Sequence, residues 1–226
     1  MSEPALDHLG HRDRLRQRVI ADAGSLQDYE LLEYLLILAI PRRDTKPIAK
    51  ALLREFGGLP GVFAADGDAL RRVPGVGDGA VAAIRVAHAS TLRVLKAQVA
   101  AQPVLGNWQA LLDYLRADLA AAPVERVRVL HLNSRNMLIR DEQMGEGTID
   151  QAQIYTREVI RRAIDLGSAA IILVHNHPSG DPAPSRADIE VTRLIQDAGK
   201  KLGIAVHDHL IIGAQGHASL KSLGLM

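Results

Sequence analysis

The chain has no cysteine among its 226 residues. That excludes disulfides and thiolate metal sites, so any zinc ligands have to be histidine, aspartate or glutamate. It also suits a reducing compartment, and a cytoplasmic protein is expected. Nor is there a surplus of one charge: 27 basic side chains stand against 26 acidic ones, a formal net of +1. No global field draws such a chain onto nucleic acid or an anionic membrane, so any DNA contact must be local. Long hydrophobic runs are missing as well. The opening MSEPALDHLGHRDRLR has no apolar signal-like core, and LLEYLLILAI is interrupted by Glu33 and far too short to span a bilayer, so no membrane association is expected. The run reads as a buried helix. There is no internal repeat and no low-complexity tract. What is present is 47% hydrophobic content, enough for one or two ordinary cores, and two small domains are expected.

Helical signals fill residues 10–100: GHRDRLRQRVI, then SLQDYELLEYLLILAI stopped by Pro41, then DTKPIAKALLREF stopped by Gly57-Gly58. The pattern changes near Ala101-Gln102-Pro103. The predicted division is therefore a helical domain over 1–101 and a second domain over 102–226. In the second, the helix NWQALLDYLRADLA is followed by the strands ERVRVLHLN and NMLIRDEQMG, joined as a hairpin by Asn133-Ser134-Arg135-Asn136. TREVIRRAIDLG reads as a helix with Thr156 as N-cap, Val159, Ile160, Ala163 and Ile164 on its apolar face, and Gly167 as its stop. AAIILVH is a fully buried strand, SRADIEVTRLIQDAGKKLG a helix closing at Gly203, and IAVHDHLIIG a further strand. The fold class is α/β, a mixed sheet with helices packed on it.

Between the buried strand and its following helix lies LVHNHPSGDPAPSRAD. Each part has an ordinary explanation, since Ser185-x-x-Asp188 is a sound capping box and histidines at strand ends are often structural. Together they say more. Residues two apart on a strand project the same way, so His175 and His177 share a face and Asn176 turns from it. The loop brings the chain back, and Asp188 in the first turn of the next helix supplies an oxygen. Two histidines and one carboxylate leave the fourth tetrahedral position of Zn²⁺ open, as in a catalytic site. A base must stand beside the metal's water. Glu125, Asp141, Glu142 and Glu146 on the preceding strands are the candidates, and spacing does not choose among them. His207 and His209 repeat the pattern on the last strand, where a structural or ligand-supporting role is expected.

The string His175-x-His177-x7-Ser185-x-x-Asp188 resembles the JAMM signature of MPN+ metallopeptidase-like domains. HNHPSGDPAPSRAD with the later DHLIIG resembles the RadC family in particular, over most of the chain. The resemblance implies a C-terminal MPN/JAMM domain of cytidine-deaminase-like type and one Zn²⁺ per chain. His175, His177 and Asp188 are implied as its ligands, and Ser185 as a donor to the oxyanion or the water. It places the signature's glutamate on Glu125, taking the water's proton and returning it to a leaving amine. The implied activity is hydrolysis of an amide or isopeptide bond in an unidentified protein or peptide. GEGTIDQAQIYTREV also resembles the family, with Thr156 where it often has proline.

ALRRVPGVGDGAVAAIRVA resembles a helix-hairpin-helix, the expected centre of the all-helical N-terminal domain. There Gly75 and Gly77 allow a tight turn, the next helix offers N–H groups to phosphate, and Arg71 and Arg72 add charge. Asp78 opposes that use, and residues 1–101 hold 14 basic and 12 acidic side chains, a slight excess. The cluster His11, Arg12, Arg14, Arg16 and Arg18 reads as a solvated helix face. A zinc hydrolase with a DNA-contacting helical domain is the leading expectation. The alternative is a DNA repair or recombination accessory protein whose zinc is structural and which has no peptidase activity.

Overall fold

A computed structural model describes residues 4–147 and 156–226. The chain packs as two compact units, Met1–Thr91 and Leu92–Met226. The first holds α1 (Pro4–Asp22), α2 (Asp28–Ala39), α3 (Lys46–Phe56), α4 (Leu59–Ala64), α5 (Gly67–Arg71) and the start of α6 (Asp78–Ala100). The division falls inside α6, ahead of the turn at Ala101-Gln102-Pro103. Packing explains it: Ala80, Val81 and Ile84 join the first core, whereas Leu92, Leu95 and Val99 join the second.

Within the first unit, α3 stops where expected, on Gly57 with φ of +71°, a left-handed conformation that glycine adopts without strain. The run expected to be a buried helix is amphipathic, since Leu32 and Leu36 of α2 enter the core while Leu38 is 69% exposed. Its interrupting Glu33 is buried and holds His11 Nε2 at 2.7 Å. The basic face of α1 is accordingly not simply solvated. Arg12 reaches the carbonyls of Ile40 and Arg43, Arg16 pairs with Asp13, and Arg18 with Glu30.

The second unit adds α7 (Trp108–Leu119), β1 (Glu125–Leu132), β2 (Leu138–Gly147), α8 (Thr156–Asp165), β3 (Ala170–Asn176), α9 (Arg186–Lys201), β4 (Ala205–Gly213) and β5 (Gly216–Ser219). Its sheet runs β2-β1-β3-β4-β5, antiparallel except for the parallel pair β3 and β4. β3 is buried along its whole length, as its unbroken apolar run requires. Alternation sorts its side chains. Ala170, Ile172 and Val174 meet Leu111, Leu112 and Leu115 of α7, while Ile171 and Leu173 meet Val159, Ile160 and Ala163 of α8 and Ile195 of α9. His175 continues the second series and so falls on the α9 side.

Four local expectations change. Thr156 is the first residue of α8, inside the helix, and the residue that caps it lies outside the described ones, as does most of GEGTIDQAQIYTREV. Ile164 is 56% exposed, displaced from the apolar face that Val159, Ile160 and Ala163 form. β5, four residues after a glycine-containing turn, is too short to show periodicity. His207 and His209 do not act as a pair. In the ladder Ile171 pairs with Val206 and Ile172 with Asp208, so His207 is the extra residue of a bulge. Among the described residues no helix is long and apolar enough to cross a membrane.

Candidate metal centre

His175 is the second-last residue of the middle strand of the sheet, and His177 opens the loop beyond it. Their Nε2 atoms stand 2.9 Å apart. Asp188 Oδ1 is 3.3 Å from His175 Nε2, and Oδ2 is 3.8 Å from His177 Nε2. One ligand atom from each of the three lies within 4.8 Å of the others, and no further such cluster occurs among the described residues. The second series of β3, which faces α9, brings them together.

The protonation of His177 follows from its other nitrogen. Nδ1 is 2.9 Å from the carbonyl oxygen of Asp181. A carbonyl only accepts, so Nδ1 carries the hydrogen and donates it, and Nε2 is the nitrogen turned to His175 and Asp188. His175, 1% exposed, has its pKa pushed down to about 4, chiefly by burial, against the opposing pull of Asp188. Neutral imidazole beside a carboxylate is the donor set a divalent cation of zinc's kind accepts, and the residues fit such an ion.

Helix geometry holds the third residue of the cluster. Ser185 caps α9: its Oγ accepts from Asp188 N–H at 3.2 Å, while its own hydroxyl and N–H donate to Asp188 Oδ2 at 2.6 and 2.7 Å. Both donors fall on Oδ2, and Oδ1 remains turned to His175. The capping box and the histidine cluster thus share Asp188.

The loop between them is fastened to the β4–β5 turn. His177 N–H donates to Ile212 and Gln215 N–H to Gly180, at 2.9 and 3.0 Å. Gly213 allows this closeness, because a Cβ there would stand 2.3 Å from the Gly180 carbonyl oxygen.

Four carboxylates were candidates for the base. Asp141 is buried in a network with Arg128, Tyr114 and Lys96, and Glu142 is held by Arg162 at 2.8 Å. The side chain of Glu146 lies outside the described ones. Glu125 opens β1, two residues before Val127, whose ladder partner is His175. Its carboxyl pKa is raised, mainly by burial, with His177 lowering it and Asp188 raising it, so both residues are within electrostatic reach.

Two supporting residues, Asn176 and Thr192, were not singled out by motif, and a third, His209, was. Asn176, turned from the metal cluster as strand alternation requires, accepts from Arg126 N–H and donates to the Ala122 and Val124 carbonyls. It ties the entry of β1, on both sides of Glu125, to the strand carrying the histidines. His209, fully buried, meets His175 Nδ1 with its Nε2 at 2.8 Å, and Thr192 meets its other face. The expected supporting role thus falls to His209, while His207 bonds Asn136 Oδ1 at 2.7 Å.

In the first unit, the turn between α5 and α6 carries the other residues singled out. Gly75 has φ of +96° and meets Ile48, whereas Gly77 has ordinary backbone and open space around its Cα. Arg71 is engaged by Asp68 and Asp78 at 2.7 and 2.9 Å, and Arg72 is exposed.

A family model described as RadC-like JAB domain matches residues 105–225, more than half of the chain and every residue of the histidine and aspartate cluster.

Proposed function

The chain belongs to the RadC family, and on that footing we propose that it is a zinc-dependent hydrolase of the JAMM type, cleaving an amide or isopeptide bond in a protein or peptide. One observation carries the reading: the Nε2 atoms of His175 and His177 and the carboxylate of Asp188 converge on a single point. His175, His177 and Asp188 hold one zinc ion. When bound, zinc supplies Lewis-acid polarisation of a carbonyl and a water of lowered pKa, about 7.

The remaining work falls to the chain's own groups. Glu125 accepts a proton from the attacking water at its carboxylate and releases it to the departing amine nitrogen, and its raised pKa makes it a stronger base than an exposed glutamate. Ser185, whose hydroxyl lies 2.6 Å from Asp188 Oδ2, is within a rotation of donating to the oxyanion that forms beside it. Asn176 keeps Glu125 on the strand edge that faces the histidines. A cytoplasmic setting accords with the absence of cysteine.

Metal analysis of the purified full chain tests the metal, with one zinc per chain expected and loss of it in His175→Ala. Less than a tenth of an equivalent in the parent protein, unchanged in that variant, overturns the reading. Glu125→Gln keeps the zinc and loses cleavage of a peptide and isopeptide library.

A second reading makes the protein a DNA repair or recombination accessory factor with structural zinc. The tight Gly75 turn before α6, read as a helix-hairpin-helix with exposed Arg72 beside it, favours it, and the ion pairs that occupy Arg71 weigh against it. Gel-shift titration of the full chain against duplex and branched DNA at low salt decides, and Arg72→Ala should weaken any shift.

A further inference from the structure

The segment between α2 and α3, Ile40-Pro41-Arg42-Arg43-Asp44-Thr45-Lys46, holds three cations and one acid. Arg42 has φ of +61°, in the left-handed region that a residue other than glycine enters only at a cost. Packing does not explain an arginine there, because its side chain is exposed and meets no carboxylate among the described residues. Arg43 is exposed as well, and it reaches the turn between α5 and α6: a Cβ on Gly75 would stand 3.3 Å from its guanidinium carbon. Arg12 of α1 fixes the loop by donating to the carbonyls of Ile40 and Arg43, which adds a fourth cation without bringing an acid. The nearby acids are turned elsewhere. Asp44 Oδ1 accepts from the Lys46 N–H at 3.1 Å, and Asp78, at the start of α6, is held by Arg71 at 2.9 Å. Other arginines of this unit differ, since Arg16 pairs with Asp13 and Arg18 with Glu30.

We infer that Arg42, Arg43 and Arg72 form one phosphate-binding surface of the first unit, fitted to the backbone of duplex DNA. The inference rests on the DNA reading above and deepens it, and it is independent of the zinc. Arg43 makes the connection: lying against Gly75, it joins the cations of the α2–α3 loop to Arg72, which closes α5 where the turn begins. Gly77 leaves that turn bare, exposed and with nothing within 4 Å of a Cβ, so a chain of phosphates can come close to the main chain beside the arginines. A guanidinium is a planar fork of donors and can pair with two phosphate oxygens at once. Duplex DNA presents its phosphates in continuous rows, so cations on two separate segments can each meet one. Such contacts do not read base sequence, and each neutralised phosphate releases counterions, so binding has to weaken steeply with salt.

The test is fluorescence-anisotropy titration of the full chain with duplex DNA over a range of salt concentrations. Arg42→Gly suits the +61° backbone, so it should melt no earlier than the parent chain and yet bind DNA more weakly. Arg43→Met keeps an unbranched stem against Gly75 and removes the charge. Each should lower the slope of log affinity against log salt by about 1, the worth of one phosphate contact. Arg43→Lys should restore the slope, and Arg16→Ala, which removes a charge already paired with Asp13, should leave it unchanged. Binding by the parent chain with a slope that either Arg42→Gly or Arg43→Met fails to lower would overturn the proposal and leave the DNA reading standing. No binding by the parent chain at low salt would overturn both. Displacement of the duplex by polyglutamate at equal charge concentration would make the partner an acidic polypeptide and overturn the assignment to DNA.

Discussion

Asn176 grips Arg126: the carboxamide oxygen accepts from its backbone N–H at 2.9 Å while the same side chain donates to the Val124 carbonyl at 3.1 Å. Glu125 sits between those two peptide groups. Asn176→Leu should leave zinc uptake intact, because the side chain faces away from the ligands, but free the entry of β1. Hydrogen exchange at the Arg126 amide should accelerate. Stability should fall by about 1–3 kcal/mol for the buried carbonyls and amide left unpaired. Unchanged exchange at Arg126 would mean that the clamp does not hold this strand end.

Gly213→Ala brings a methyl group to 2.3 Å from the Gly180 carbonyl oxygen, far inside contact distance. The loop bearing His177 has to move away from the β4–β5 turn. We expect weaker zinc binding in titration and a loss of about 1–3 kcal/mol in denaturant, the usual range for overpacking. Gly77→Ala is the control in the other unit. Nothing lies within 4 Å of a Cβ there, so its denaturation midpoint should stay near that of the parent chain.

Arg128 and Asp141 form a buried ion pair, with Asp141 wholly inaccessible at its side chain. Arg128→Met alone leaves the buried carboxylate with only the Tyr114 hydroxyl and the more distant Lys96, and should destabilise by about 3–5 kcal/mol. Joining it to Asp141→Leu should recover much of that loss, since two apolar groups need no partner. A double variant no more stable than the single one, by urea denaturation, would show that the network contributes more than mutual neutralisation.

His131 is buried, and burial is the first cause that lowers its pKa from the ordinary 6.5. The unfolded chain therefore takes up the proton first. Above that ordinary value His131 has no effect, and as pH falls below it stability declines, by at most about 1.4 kcal/mol per pH unit, until the folded value is reached. Glu142, lowered chiefly by its hydrogen bond to Arg162, acts in a separate window. Its contribution is full above the ordinary 4.5 and is lost as pH falls through its depressed folded value. His131→Leu should flatten the stability profile of the metal-free chain just below the ordinary histidine value of 6.5. An identical slope in parent and variant would assign the acid sensitivity elsewhere.

The helices and the strand carrying His175 were legible because apolar periodicity is local. Val159, Ile160 and Ala163 declare a helix face, and AAIILVH declares a strand buried on both sides. The cluster of His175, His177 and Asp188 was legible for the same reason, since strand alternation and a capping box are both short-range rules. Asn176 and Thr192 escaped because their partners are remote in sequence: Arg126 is 50 residues from Asn176, and His209 is 17 from Thr192. No spacing rule joins such pairs before the sheet has formed. His207 misled because alternation presumes an unbroken ladder, and a bulge is a property of two strands together. The division of the chain inside α6 likewise depends on which core claims each turn of one continuous helix, and the helical pattern of that stretch is the same on both sides.

The order β2-β1-β3-β4-β5 puts His175 on the middle strand, bonded to neighbours along both sides. Strands in that position are the last to open in native-state fluctuations, while edges such as β2 and β5 fray first. His175 is therefore rooted in the slowest-breathing backbone of its unit, and His177 follows two residues later. Heat or denaturant should erode the periphery of the sheet well before it blurs the spot where a cation would sit, so the site is built to outlast its surroundings.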